Sequence, residues 1–270
     1  MLPSGSRFEK TGIKINYGIA RGFASLSYAI TAVFIGVLIN NIGEFCIPSS
    51  ILIFVIIQIV ITCFIPINNE VSKSSEEKSF SLKIRDYPSF FFVILGFSLI
   101  MISYNMIAVY LIRIIENVGG NSANMGIAAA IAAISEVPAL LLYTCLAKRF
   151  SSHKLLAFSG CAFLVKIFLF IFAQSVVAIY LLQILQILSY GIFVAARVYY
   201  TEETLPRKYR TRGQAYSCMT ETFGMVMGSI IGGYIISESS VSIMLIIGMI
   251  TCLFGLFFVL YSFLVKKKVN

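Results

Sequence analysis

AAAIAAISEVPALLLYTC, residues 128–145, carries a carboxylate, Glu136, and a proline, Pro138, inside a run of alanine, isoleucine and leucine. With its flanks the apolar stretch covers 124–146, and at 1.5 Å rise per residue that is enough helix to cross about 30 Å of hydrocarbon. An ionised group at the centre of a bilayer costs about 2.5–3.5 kcal/mol even on the mildest scale, so Glu136 is expected to face other helices or a water-filled cavity. Pro138 points the same way: it frees a carbonyl one turn back, which lipid would penalise and a neighbouring helix or cavity can satisfy.

The rest of the chain has the same character. Of its 270 residues 59% are hydrophobic and 12% charged, against roughly 45–50% and about 25% in soluble domains. Eight apolar stretches are long enough to span, at about 17–40, 50–67, 88–115, 124–146, 154–173, 176–199, 213–236 and 241–265. The expected fold is therefore an all-α polytopic membrane protein of about eight transmembrane helices. The first 16 residues are polar and precede a full-length span, unlike a cleaved signal peptide. Six cysteines stand singly without metal-ligand spacing, which predicts buried free thiols, and neither metal nor cofactor is implied.

The net charge of +9 is distributed along the chain in a pattern that nucleic-acid binding does not explain. Arg7, Lys10 and Lys14 precede the first span; Lys73, Lys78, Lys83 and Arg85 follow the second; Lys148, Arg149 and Lys154 follow the fourth; Arg207, Lys208, Arg210 and Arg212 follow the sixth; Lys266, Lys267 and Lys268 close the chain. The intervening connections hold no Lys or Arg. By the positive-inside rule both termini and the basic loops are cytoplasmic, in a multi-pass protein of the cell (plasma) membrane whose partner is the lipid bilayer. Within this order the polar, serine-rich stretch NNEVSKSSEEKSFSLKIRDYPS (68–89) reads as a flexible linker, separating two helices in 1–67 from six in 88–270, with the linker itself at 68–87. A division of two and six predicts that helices are missing at the front. His153, in the loop AKRFSSHK, is expected to be solvated. Gly224, Gly228 and Gly232 recur every fourth residue, as do Gly18 and Gly22, and such rows let helix backbones approach closely.

Six charged side chains fall within the spans: Arg21, Arg113, Glu136, Lys166, Arg197 and Glu221. The three arginines lie near span ends, where they can snorkel to the interface. Glu136, Lys166 and Glu221 are roughly 12–18 Å deep at 1.5 Å per residue. Two arrangements remain open for them: a packing pair of Glu136 with Lys166, or a shared cavity lining.

Three stretches resemble the major facilitator superfamily, in the branch around lactose permease, nucleoside permeases and phenylpropionate permeases. INYGIARGFASLSYAITAVFIGVLI (15–39) resembles that branch's fifth helix, AAISEVPALLLY (132–143) its eighth, and GIFVAARVYYTEETLPRKYRTRGQAY (191–216) its tenth helix, the following loop and the start of the eleventh. The resemblance implies that the eight spans correspond to helices five to twelve of a twelve-helix transporter, with the first four absent. It implies substrate-binding roles for Arg21, Tyr28, where an aromatic ring stacks on a sugar, and Glu136, which accepts hydrogen bonds from the solute. Lys166 falls near a ninth-helix arginine of the proton-coupling network. Where lactose permease has a His and a Glu one turn apart, LLQILQILSYGIF offers Gln186, Ser189 and Tyr190, which makes Glu221 the substitute candidate beside Glu136 and Lys166 for proton coupling. Ala24 replaces the expected glycine of the fifth helix, and 147–154 lacks the usual Gly and Asp of the superfamily's loop.

The expected activity is secondary active transport, as a proton-coupled symporter of a small polar solute such as a sugar, oligosaccharide or nucleoside, by alternating access. The alternative is a truncated, non-transporting remnant, in which the missing helices would have supplied the partner of the glycine row at 224–232. Membrane enzymes are disfavoured by the lack of an HExxH, a paired Asp-rich motif or a nucleophile beside a histidine.

Overall fold

A computed structural model describes residues 17–43, 45–64 and 86–265, with the side chains of 17–24, 140–142 and 144 outside the description. The expected linker at 68–87 and the basic residues at both ends of the chain fall almost wholly outside it. The described residues form helices and no strands. They run α1 (Tyr17–Ile42), α2 (Cys46–Cys63), α3 (Pro88–Val109), α4 (Leu111–Asn117), α5 (Ser122–Leu146), α6 (Ser152–Ile171), α7 (Val176–Ile184), α8 (Tyr190–Thr204), α9 (Arg210–Glu238) and α10 (Val241–Tyr261). Single 3-10 turns lie at Leu185–Ile187 and Arg207–Tyr209. By length and apolarity these make eight candidate membrane spans, as the sequence predicts.

Local chemistry sets the helix ends. Pro88 starts α3, where its missing N–H has no partner to lose. Asn121 and Asn124 form a reciprocal capping box at the start of α5, each side-chain oxygen accepting the other's backbone N–H at 3.1 and 2.9 Å. Ser175 and Ser240 cap α7 and α10 singly, each hydroxyl oxygen accepting one backbone N–H, from Ala178 and Ile243. The span expected at 88–115 is broken at Tyr110, whose φ of −100° and ψ of 21° leave the helical region and divide α3 from α4. Gly119 then turns the chain toward α5 at φ 83°, a conformation that glycine alone adopts without strain.

Small residues set how closely the helices cross. A Cβ on Gly36 of α1 would stand 2.8 Å from Ser122 O and 3.1 Å from Gly126 Cα of α5, so α1 lies directly against α5. Gly96 of α3 and Gly255 of α10 meet backbone to backbone, and a Cβ on either would reach the other's carbonyl oxygen at 2.6 Å. The row Gly224, Gly228, Gly232 packs on Met101, Ile102 and Tyr110, and the Tyr110 hydroxyl donates to Ser229 O at 2.6 Å. The partner expected from missing helices is therefore α3 of this same chain: the row is spaced to fit a helix that is present. Around these crossings Phe90, Phe97, Phe163, Phe193, Ile100 and Met101 form the buried centre, with Phe97 stacked on Phe193 at 4.5 Å. By contrast α2 leans on α1 and buries no residue.

One end of the bundle is tied by polar joints between helices. Ser89 of α3 donates to Ser262 O at 3.1 Å and lies 3.5 Å from the Tyr200 hydroxyl of α8. Ser152 of α6 donates to Glu203 of α8 at 2.7 Å and contacts the Tyr143 hydroxyl of α5 at 3.1 Å. His153, expected to be solvated, is stacked flat on Phe263 at 3.7 Å, with Nε2 2.7 Å from Ser262 Oγ. Its place at a helix end does not expose it, because the end of α10 folds over it. The cysteines are a further correction: Cys63, Cys145, Cys161 and Cys218 are exposed, Cys46 is intermediate and Cys252 alone is buried. On a bundle in lipid the outer face is as apolar as the interior, so hydrophobicity does not tell the two apart.

Candidate functional site

Toward the opposite end from those joints lies a cavity of about 390 Å³. Its walls come from seven helices and the 3-10 turn, with Ser25 and Tyr28 of α1, Tyr104 of α3, Leu111 of α4, Glu136 of α5, Lys166 of α6 and Gln183, Gln186 and Tyr190 along the broken span at 176–204. Leu111 and Met125 line it near the 118–121 connection, and Glu136, Gln186 and Tyr190 close it near mid-bundle.

Each polar wall has a local cause. α5 continues unbroken through Pro138, and Gly191 brings α8 onto α5 beside it: a Cβ there would collide with Ala139 and stand 3.6 Å from Glu136 Cα. Glu136 is thus half-buried at the α5–α8 crossing. The 3-10 turn at Leu185–Ile187 divides the span at 176–204 into α7 and α8, and Ser189 covers the exposed Leu185 carbonyl through both its N–H at 3.1 Å and its hydroxyl at 3.0 Å. Broken helices of this sort are tolerated at membrane depth where they line a cavity.

Lys166 is buried, with 4% of its surface exposed, and its ammonium donates to Gln183 Oε1 at 2.9 Å and Gln186 Oε1 at 2.5 Å. The amide nitrogen of Gln186 donates in turn to the Tyr104 hydroxyl at 2.9 Å and to Glu136 Oε1 at 3.3 Å. Glu136 and Lys166 both line the cavity, and the Gln186 carboxamide bridges them. Tyr104 and Tyr190 stack at 5.2 Å and form an aromatic wall beside the bridge. Tyr28 of α1 also lines the cavity and is 59% exposed.

Glu221 does not line this cavity. Its carboxylate pairs with Arg197 at 3.1 Å and accepts from the Tyr190 hydroxyl at 3.1 Å, one residue behind the wall. Arg197 accordingly turns inward instead of snorkelling: its side chain is 14% exposed, donates to Ser217 O at 3.3 Å and covers the Phe193 ring. Arg113 does face outward, in an exposed pair with Glu116 at 3.2 Å. The side chain of Arg21 lies outside the described residues.

Gln183 and Tyr104 are the residues that sequence reasoning passed over. The signal for the first was present, since two glutamines three apart in LLQILQIL fall on one helical face at a depth where unpaired amides are costly. Tyr104 carries no such signal, because tyrosine is ordinary in an apolar span. Among the described residues no cluster of His, Cys, Asp and Glu is placed to hold a metal ion.

Five of the eight candidate spans line this cavity, which carries charged and polar side chains on its wall. No curated protein matches the chain. The family described as the MFS_1 like family matches it over residues 9–247. That match covers the first seven spans and the start of α10, and the chain belongs to this family of major facilitator transporters.

Proposed function

We propose that the protein is a secondary active transporter of a small polar solute such as a sugar, oligosaccharide or nucleoside, working as a proton symporter by alternating access. The observation that carries the reading is the Lys166–Gln186–Glu136 bridge on the wall of a 390 Å³ cavity. That volume lies in the range of small-molecule sites, about 300–1,000 Å³. Charged groups held at membrane depth and hydrogen-bonded together are the usual mark of solute and proton pathways. In this reading Arg21, Tyr28 and Glu136 bind the solute, while Glu136, Lys166 and Glu221 take part in proton coupling. The basic connections and both termini face the cytoplasm of the cell membrane, so the cavity extends toward the outer side.

The test is uptake into proteoliposomes of labelled hexoses, disaccharides and nucleosides under an inward proton gradient. Uphill accumulation of one class is expected, collapsed by a protonophore and abolished by Glu136→Gln. Accumulation unaffected by both Glu136→Gln and Glu221→Gln would overturn the proton-coupling assignment.

A further inference from the structure

The cavity ends at Tyr190, and the bundle beyond it is closed by contact between α8 and α9. We propose that Tyr190 is a positioning residue that links the cavity to this closed seam by holding Glu221 in its pair with Arg197. The inference rests on the transport reading only in taking cavity and seam as two ends of one path.

The geometry is continuous. The Tyr190 ring is part of the cavity wall and stacks on Tyr104, whose hydroxyl is fixed by Gln186. Its own hydroxyl leaves the cavity and donates to Glu221 Oε1, while Glu221 Oε2 takes Arg197. Arg197 reaches across to Ser217 O, and Ser217 Oγ lies 3.1 Å from Thr201 Oγ1, so the charged pair and the hydroxyls together fasten α8 to α9. A second observation concerns the packing at that fastening. Beside Arg197 is a void of about 10 Å³, lined by Tyr200, Ser217 and Thr220 and by apolar side chains of α3, α6 and α8, Phe97 and Leu156 among them, about the space of one water. The polar bonds between α8 and α9 thus close beside a gap in the packing. A solute that takes up the Tyr190 hydroxyl or shifts its ring removes one bond from Glu221. The differential contact needed for a ligand to change a distant equilibrium is then present.

The experiment reads the seam without any solute. Cys46, Cys63, Cys145, Cys161 and Cys218 are replaced by serine, Cys252 is kept as a buried control, and Thr220→Cys provides a probe at the void. Labelling by N-ethylmaleimide in proteoliposomes is expected to speed up about tenfold at position 220 with Tyr190→Phe, the effect of losing a hydrogen bond to a charged group. Glu221→Gln is expected to do at least as much, and the double variant no more than Glu221→Gln alone, because the phenol acts through the carboxylate. Additive effects, an unchanged rate with Tyr190→Phe, or equal acceleration at Cys252 would each overturn the proposal. Failure of the uptake panel leaves this readout intact, so the two readings fail separately.

Discussion

Lys166 reaches Glu136 through a single carboxamide, that of Gln186, which accepts from the ammonium with its oxygen and donates to the carboxylate with its nitrogen. Two charges that would be costly in hydrocarbon are thereby joined without being fused, and each keeps an edge on the cavity.

Gln186→Leu removes an acceptor from buried Lys166 and a donor from Glu136, and the expected loss of stability is about 2 kcal/mol, the range for hydrogen bonds to charged groups. Adding Lys166→Met should recover part of it, giving a coupling of about 1 kcal/mol in a double-mutant cycle. Unfolding midpoints in detergent micelles provide the measurement, and strict additivity would show that the bridge is not a unit.

Gly228→Ala is expected to cost about 1–3 kcal/mol, since a Cβ would stand 2.7 Å from Ile102 O and force α9 away from α3. Gly248→Ala, whose nearest neighbour would be Met106 Sδ at an ordinary 3.6 Å, should leave the midpoint almost unchanged. Equal effects in the two variants would count against α3 as the partner of the glycine row.

His153→Phe keeps the stack on Phe263 and loses the bond to Ser262, whereas His153→Ala loses both. Losses of about 1 and about 2 kcal/mol are expected, one for the hydrogen bond and a further one for the ring contact. Were the ring solvated, neither change would move the unfolding midpoint.

Asn124→Ala should fray the start of α5 more than Asn121→Ala. Asn124 accepts from the Asn121 N–H and also donates to the Tyr180 hydroxyl at 2.9 Å, which ties α5 to α7. Amide hydrogen exchange over 122–128 is the direct readout, with about 1 kcal/mol expected for the cap alone.

What the sequence makes legible is depth, and what it leaves out is rotation. Hydropathy and the alternation of basic loops suffice for eight spans, because length and charge are properties of the chain taken in order. Glu136 and Lys166 are recognisable as cavity residues for the same reason, since charge at mid-span has few other places to go. The pair of Glu221 with Arg197 is different: it depends on how α8 and α9 turn their faces to each other across the Arg207–Tyr209 turn. The break at Leu185–Ile187 is also invisible in the run LLQILQILSYGIF, which contains neither glycine nor proline before Gly191. The glycine row was readable as a seam, but its partner was not, because spacing says how close a neighbour comes and not which neighbour it is.

The joints at the tied end of the bundle, Ser89 with Tyr200, Ser152 with Glu203 and His153 with Ser262, share a property that contacts between methyl groups lack: water can take the place of either partner. Parting two apolar faces in water costs about 25 cal/mol for each Å² exposed, and the cost grows with every further ångström of opening. A hydroxyl or carboxylate that parts from its neighbour finds a water instead, at a net cost of about 0.5–1.5 kcal/mol that is complete once the bond is exchanged. A seal made this way holds while it is dry and gives way readily once wetted.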